Sequence, residues 1–251
     1  MKAPTLLVLS SLVIANLAFA ENNSAALPVV TLSYDDALDS QLDHAVPALA
    51  QYKLTGSFYL VPTSDAFVAR KEEWARLPTA GHEIGNHSMT HPCRSSLPDR
   101  EWVPPERDLD RISAADMAIQ VKKANSILTD LTGQKPHTFT PPCGDVLANN
   151  KNYIPLIKDL FSAIKGLELP HSVEVGWAPV DASGDDLIAF ITEQPENVRL
   201  INFTFHGIGA DYLTVSTEAH EKLLAFLNAN REKYAVKTYY DARQQLQEKP
   251  L

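Results

Sequence analysis

Segments rich in strand-forming residues alternate with helical segments along most of the chain, and this alternation restricts the fold more than composition does. Strands that are joined by helices form parallel sheets, and α/β folds of this kind place their chemistry at the carboxyl ends of the strands. The sequence therefore predicts an α/β fold. The predicted strands are 27–34, 56–61, 83–86, 137–140 and 198–205, and the predicted helices are 43–52, 74–80, a helix between Ser113 and Gly133, and 217–230.

Ionisable residues follow three of these predicted strands at the point where each strand ends. Asp35 and Asp36 follow the first strand, His87 and His91 follow the strand 83–86, and His206 follows the last. Each group alone has an ordinary structural explanation. A pair of acids is often a solvated turn, a spaced histidine pair can be incidental, and a lone histidine is usually satisfied by hydrogen bonds.

Taken together, the three groups form a chemically complete set. Two imidazoles and one carboxylate leave coordination positions open on Zn²⁺ or a similar divalent ion, and water in such a position ionises near neutral pH. A second carboxylate can accept a proton, and a separate imidazole can donate one to a leaving group. Adjacent acids on an extended backbone point in different directions, so one can bind a metal ion while the other faces a substrate.

Four segments carry a more specific resemblance, and they cover nearly the whole of residues 21–251 in the same order as the motifs they match. They resemble the motifs of the polysaccharide deacetylase (NodB-homology) family of carbohydrate esterases. The segments are Thr31-Leu32-Ser33-Tyr34-Asp35-Asp36-Ala37, similar to T-F-D-D-G; Gly81 to His91, similar to H-S/T-x-x-H with its usual lead-in; Leu131 to Gly144, similar to T-G-x-x-P and F-R-P-P-Y/F-G; and Phe203-Thr204-Phe205-His206, in the place of L-x-H.

The resemblance implies a fold, a reaction and a role for each of these ionisable residues. The implied fold is a single-domain irregular (β/α) barrel with about seven parallel strands. The implied reaction is metal-dependent removal of N-acetyl, or in some members O-acetyl, groups from a poly- or oligosaccharide by metal-activated water. Asp35 would be the general base and His206 the general acid, while Asp36, His87 and His91 would bind the metal, with Zn²⁺ expected and Co²⁺ or Ni²⁺ as substitutes.

The sequence departs from the family pattern around residues 140–144. Thr140 stands where the family usually has the arginine that orients the base, so the environment of Asp35 must be set from elsewhere. Cys143 replaces an aromatic residue whose backbone N–H helps to hold the oxyanion. Pro142 and Cys143 are therefore expected to contribute backbone rather than an aromatic pocket wall, and Trp177 is the expected aromatic wall of the site.

Two further departures concern the turns after the first and last motifs. Ala37 replaces the family glycine, and Gly207 follows His206 where an acid is common. The acid that would orient His206 is not evident from the sequence. Asp181 and Asp185 are the candidates.

The two cysteines, Cys93 and Cys143, lie beside the second and third of these motifs. If the motifs meet at one site, a disulfide is geometrically natural. It would close a loop of about 50 residues, worth on the order of 4 kcal/mol in the chain-entropy model. Two free buried thiols are the alternative.

The first twenty residues have the pattern of an export signal. Lys2 precedes an apolar stretch from Leu6 to Leu17, and Ala18-Phe19-Ala20 has the form of a cleavage site, which leaves 21–251 as one catalytic domain in the periplasm or outside the cell. An uncleaved membrane anchor is the alternative. A formal net charge of −9 argues against nucleic acid or an anionic membrane as the main partner, whereas an acetylated carbohydrate is compatible with it.

Two other functions share these sequence features. One is a carbohydrate-binding relative that retained the metal site but lost most turnover, which the missing arginine makes conceivable. The other is a small amide or cyclic imide hydrolase of the same fold. The sequence leaves open which glycan is bound, whether the acetyl group is on nitrogen or oxygen, and the oligomeric state.

Overall fold

Strand β1, Val29–Asp35, lies in the middle of the sheet, and all seven of its residues are buried. Tyr34 packs in the main apolar core, whereas the hydroxyl of Ser33 donates a hydrogen bond to the Asn202 side chain at 2.8 Å on the opposite face. Side chains alternate between the two faces of a strand. Asp35 therefore shares the polar face with Ser33, away from the helices that cover Tyr34.

The computed structural model describes residues 27–248, and the predicted export signal at residues 1–20 lies outside them. The other strands are β2 Ser57–Leu60, β3 Glu83–Asn86, β4 Thr138–Phe139, β5 Leu147–Ala148, β6 Lys151–Asn152, β7 Ala163–Ile164, β8 Glu174–Trp177, β9 Leu200–Phe205 and β10 Ala235–Lys237. The helices are α1 Val46–Tyr52, α2 Asp65–Ala69, α3 Lys71–Trp74, α4 Ala114–Thr132, α5 Gly184–Thr192, α6 Thr217–Ala229 and α7 Tyr239–Glu248.

Seven strands form one parallel sheet in the order β7-β4-β3-β2-β1-β9-β8, with helices around it. The sheet curls into a half-barrel, which confirms the predicted irregular barrel of about seven parallel strands. Strand β10 pairs with Val29–Thr31 of β1. Pairing of β1 with β2 begins two residues later, at Ser33. Within residues 27–248, no helix has both the length and the apolar character needed to cross a bilayer.

Most predicted elements agree with the structure, and the differences have local causes. Strand 83–86 is confirmed, and Ser113 and Gly133 cap α4 at its two ends as predicted. The predicted helix 74–80 is wrong, because α3 ends at Trp74 and a 3₁₀ turn, Leu77–Ala80, follows it. Pro78 has no N–H to donate, so an α-helix cannot continue through this turn.

Two buried histidines lie behind the sheet. His220 of α6 is 2.7 Å from the Tyr34 hydroxyl, and the Nδ1 of His82 accepts the Gly56 N–H at 3.1 Å. Burial lowers the pKa of His220 to about 3 and that of His82 to about 4. Both imidazoles are therefore neutral in the folded protein at pH values where an unfolded chain would protonate them.

The buried histidines predict a loss of stability in mild acid. A folded pKa below the unfolded value near 6.5 means that the stabilisation is complete above pH 6.5 and declines as pH falls toward the folded pKa. Between pH 7 and pH 5, each imidazole should reduce the free energy of unfolding by about 2 kcal/mol. Urea unfolding of His220→Phe should show a smaller decline than wild type. An equal decline in both proteins would contradict the prediction, and the exposed variant His44→Ala is the control.

Candidate functional site

The carboxyl ends of β1, β3 and β9 meet at one edge of the sheet. Asp35 ends β1 and Asp36 follows it, while His87 directly follows β3 and His206 directly follows β9. Parallel pairing places these ends side by side. The structure thus brings together the ionisable residues that the sequence predicted for one site.

Asp36, His87 and His91 form the centre of the site. The Oδ1 atom of Asp36 is 3.3 Å from His87 Nε2 and 3.2 Å from His91 Nε2, and one ligand atom from each residue lies within 4.8 Å of the others. His87 Nδ1 is 2.8 Å from the Thr140 carbonyl oxygen, which can only accept, so Nδ1 carries the proton and Nε2 offers a lone pair.

This donor set fits a divalent cation. Among the described residues, buried Asp36 Oδ1 has no hydrogen-bond partner. It faces the lone pair of His87 Nε2, and two such groups repel unless a cation or proton lies between them. Burial by itself would raise the pKa of Asp36, but positive charge on His87, His91 and His206, when these imidazoles are protonated, outweighs it and holds that pKa well below its usual range, so a positive charge at this position stabilises the carboxylate.

Side-chain hydrogen bonds hold the turn that carries the two histidines. Asn86, buried at the end of β3, accepts the Ser88 N–H at 2.7 Å and donates to Asn125 of α4 at 2.7 Å. Ser88 Oγ accepts the His91 N–H at 3.1 Å. Ser88 and His91 have φ angles of 67° and 53°, a region unfavourable for side-chain-bearing residues. The hydrogen bonds stabilise this backbone in the conformation that points both imidazoles at Asp36.

A lysine that sequence reasoning missed contacts Asp35. Lys165 Nζ lies 2.9 Å and 3.2 Å from the two carboxylate oxygens of Asp35, and both side chains are buried. The ammonium group also lies over the Tyr59 ring, 4.3 Å from its centroid. Burial lowers the pKa of Lys165, and the Asp35 carboxylate opposes that effect. Lys165 thus supplies the cation that Thr140 does not.

His206 faces the same centre from the end of β9. Its Nε2 is 3.8 Å from Asp36 Oδ2, and its Nδ1 has no hydrogen-bond partner within residues 27–248. The suggested orienting acids do not supply one. Asp185 forms an exposed ion pair with Lys222 at 2.7 Å. Asp181 is exposed, and in the described part of the chain its one hydrogen bond is from its backbone N–H to the Thr214 carbonyl.

Two other residues near His206 were absent from the predicted set. Gln41 is buried, and its amide donates to the backbone carbonyls of Asp35 and His206, which ties the ends of β1 and β9 together. The Tyr212 hydroxyl donates to Asp36 Oδ2 at 2.8 Å, so the two oxygens of that carboxylate have different neighbours. The contacts from Gln41 to His206 and from Tyr212 to Asp36 span 165 and 176 residues, and no local pattern in the sequence indicates them.

A disulfide joins the two segments that flank the site. Cys93 and Cys143 are bonded, with their Cα atoms 5.9 Å apart, so the segment after His91 is fixed to the turn after Thr140. Cys143 has a φ of 57°, and its backbone N–H makes no hydrogen bond within the described residues. Cys143 and Trp177 line a cavity of about 1180 Å³ over the site, whereas Pro142 is buried beside it.

This half-barrel, with an Asp-His-His centre at the carboxyl ends of its strands, defines a class of α/β proteins with a site suited to a divalent cation. The chain belongs to the polysaccharide deacetylase family, whose model matches residues 22–160. That match includes Asp35, Asp36, His87 and His91 but ends before Lys165 and His206.

Individual relatives agree with the family assignment. The chain is 26% identical to a peptidoglycan-N-acetylglucosamine deacetylase of Bacillus cereus over 48% of this chain and 38% of that protein. It is 24% identical to the peptidoglycan-N-acetylmuramic acid deacetylase PdaC of Bacillus subtilis, over 47% of this chain and 22% of that protein. The chain thus spans well under half the length of these curated relatives.

Solved structures show the same fold at low identity. The structure of Bacillus subtilis PdaC matches with a TM-score of 0.60 and 18% identity, covering 88% of this chain and 94% of that one. A CE4 family pseudoenzyme from Bacillus anthracis matches with a TM-score of 0.58 and 16% identity, over 86% of this chain and 66% of that one.

The disulfide predicts a measurable loss of stability when it is removed. The double variant Cys93→Ser, Cys143→Ser should lower the free energy of unfolding by about 4 kcal/mol, because the unfolded chain gains loop freedom. Urea unfolding of the variant and of wild type with and without reductant would measure this. Reduced wild type should match the variant. Two free thiols in unfolded, unreduced wild-type protein would contradict the prediction.

Proposed function

We propose that the protein is an exported, metal-dependent carbohydrate deacetylase that hydrolyses N-acetyl or O-acetyl groups of a poly- or oligosaccharide. The observation that carries the proposal is the buried Asp36 Oδ1 atom, which lacks a hydrogen-bond partner in the described structure and faces His87 Nε2 and His91 Nε2 at 3.3 Å and 3.2 Å. Family membership supports the reaction class. The export-signal pattern of residues 1–20, followed by a catalytic domain at 21–251, supports a periplasmic or secreted location.

Asp36, His87 and His91 would hold the ion. A mixed imidazole and carboxylate set suits Zn²⁺, with Co²⁺ or Ni²⁺ as substitutes. When bound, such an ion supplies Lewis acidity that polarises the acetyl carbonyl and makes water a better nucleophile. The Tyr212 hydroxyl donates a hydrogen bond to Asp36 Oδ2, and the other oxygen, Oδ1, faces the imidazoles.

Asp35 would act as the general base. Its carboxylate is next to the Asp36 position, with Oδ2 at 3.8 Å from His87 Nε2, and it accepts the proton that the attacking water loses. Lys165 positions this carboxylate by holding both oxygens. The Asp35 side chain is therefore fixed before a substrate binds, which lowers the cost of reaching the reactive geometry.

His206 would act as the general acid on the other side of the centre. Its Nε2 faces the site and donates a proton to the departing amine or alkoxide as the bond to the acetyl carbon breaks. The unbonded Cys143 N–H is available to the carbonyl oxygen as negative charge develops there. Trp177, in the lining of the cavity, would contact the sugar.

A carbohydrate-binding protein with weak turnover is the second candidate. The specific observation in its favour is the lysine that replaces the family's usual arginine beside the base, together with a fold shared with a pseudoenzyme. The direct contact between Lys165 and Asp35 favours the enzyme, because the base retains a cationic partner. Acetate release separates the two candidates.

Wild-type protein supplied with Zn²⁺ should release acetate from a panel of N- and O-acetylated oligosaccharides. Asp35→Asn should keep the metal and lower kcat by about 10² to 10⁴, the usual effect of losing a general base. Lys165→Met should lower kcat in the same direction, and Lys165→Arg should recover part of it. Absence of acetate release from every substrate by metal-loaded wild type would rule out the deacetylase and favour the binding protein.

Metal content should distinguish the two acids. Purified protein should contain about one divalent ion per chain, and Asp36→Asn and His87→Ala should each lose it because a ligand is gone. Asp35→Asn should retain it, as should His44→Ala, a control at an exposed histidine. Elemental analysis after dialysis measures the occupancy. Full occupancy in a His87→Ala, His91→Ala double variant would exclude this metal centre.

A further inference from the structure

Residues 94–110 contribute basic but no acidic side chains to the cavity lining, although the whole chain carries a formal net charge of −9. Arg100 and Arg107 both line the cavity on this side. Two other arginines close by are neutralised by local acids, since Arg94 pairs with Asp110 at 2.9 Å and Arg111 with Asp108 at 3.3 Å. Asp108 and Asp110 are thus paired with arginines outside the cavity lining, and Asp99, Glu101 and Glu106 of this segment do not line the cavity.

Arg107 has a fixed backbone and an unpaired guanidinium. Its N–H donates to Pro104 at 2.9 Å, and its carbonyl accepts the N–H of the disulfide-bonded Cys93 at 3.0 Å. Among the described residues, no carboxylate or other side chain bonds its half-buried guanidinium. Arg107 and Tyr212, whose hydroxyl donates to Asp36, line the same cavity.

Only some of the hydrogen-bond donors of the Arg100 guanidinium have an acceptor in the described structure. Its Nη2 is 3.4 Å from the Cys143 carbonyl, and its Nη1 is 3.5 Å from Asp145 Oδ2, an oxygen that already accepts the Arg94 N–H at 2.8 Å. In the described structure, buried Arg100 Nη1 has no hydrogen bond. A buried guanidinium N–H without an acceptor is costly, and an incoming anion would remove that cost.

Other cations near the centre do not duplicate this wall. Lys165 is held by Asp35, and its charge is balanced by that carboxylate. Within residues 27–248, Arg107 and Arg100 are the arginines that line the cavity, and each has guanidinium N–H groups without a hydrogen-bond acceptor. Their planar guanidinium groups match a carboxylate, to which arginine can donate two parallel hydrogen bonds. The two aspartates on the floor disfavour a more highly charged anion.

We infer that Arg107, assisted by Arg100, binds a carboxylate of the saccharide near the acetyl group, and that the substrate is an acidic glycan. The statement that the acidic glycan is hydrolysed rests on the proposed function, whereas the statement that its carboxylate binds to Arg107 does not. The same carboxylate chemistry has two sources. It can belong to an acidic ether substituent of the acetylated hexosamine, or to a uronic acid on an adjacent sugar.

Matched substrates test the inference. One pair is an N-acetylmuramic acid-containing tetramer and the N-acetylglucosamine tetramer. The other is an acetylated xylo-oligosaccharide with and without a uronic acid branch. Wild type should favour the acidic member of at least one pair in kcat/KM by about ten- to a hundredfold, the size expected for a charge-assisted hydrogen bond. The pair that shows the preference identifies the carboxylate source.

Variants at Arg107 test whether this residue causes the preference for acidic substrates. Arg107→Gln should reduce the ratio of acidic to neutral kcat/KM toward one, and Arg107→Lys should restore part of it. Arg76→Gln, which removes an exposed positive charge away from the cavity, should leave the ratio unchanged. An equal rate for both members of each pair in wild type would overturn the inference, as would an unchanged ratio in Arg107→Gln.

Binding separates this inference from the reaction. Calorimetric titration of His206→Gln, which leaves Asp35 paired with Lys165, measures affinity for the same oligosaccharides with turnover slowed by loss of the general acid. An acidic preference in binding that Arg107→Gln abolishes would support the inference even if no acetate were released, in which case only the proposed reaction would fail. Equal affinity for acidic and neutral members would exclude the carboxylate site even in an active deacetylase.

Discussion

The parallel register of β1 with its two neighbours determines where every group of the site lies. Ser33 to Asp35 pair with β2, and Val29 to Tyr34 pair with β9, so three strand ends reach the same edge. Gln41 then bonds the backbone carbonyls of Asp35 and His206 across the gap. A shift of one residue in β1 would turn Asp35 into the apolar layer that holds Tyr34. The burial of β1 on both faces excludes that shift.

Charge balance divides the two adjacent aspartates between different partners. Asp35 is neutralised within the protein by Lys165, whereas Asp36 accepts one hydrogen bond from Tyr212 and has its other oxygen beside two imidazoles, without a hydrogen bond in the described structure. A buried charge without a partner is unstable, so the second arrangement is complete only with a cation. One aspartate is thus permanently paired, and the other is suited to a ligand.

The sequence predicted the parts of the structure that depend on local pattern. The strand 83–86, the two caps of α4 and the half-barrel all follow from periodicity, capping residues or family motifs. Lys165 was missed because β7 contains only two residues, which is too short for a strand pattern to be recognised. Tyr212 reaches Asp36 over a separation of 176 residues, and such a contact depends on the fold of the intervening chain.

The two edge strands of the sheet, β7 and β8, do not pair with each other, so a loop rather than a strand closes this side of the barrel. Strands β7 and β8 lie at opposite ends of the sheet, and residues 165–173 connect them while contributing Leu167, Leu169 and His171 to the cavity. Sheet hydrogen bonds do not constrain most of this connection, so its side chains can change without altering a strand register. Beyond Lys165, this segment can therefore diverge between relatives, and glycan preference can evolve while the hydrolytic centre and the stability of the sheet stay the same.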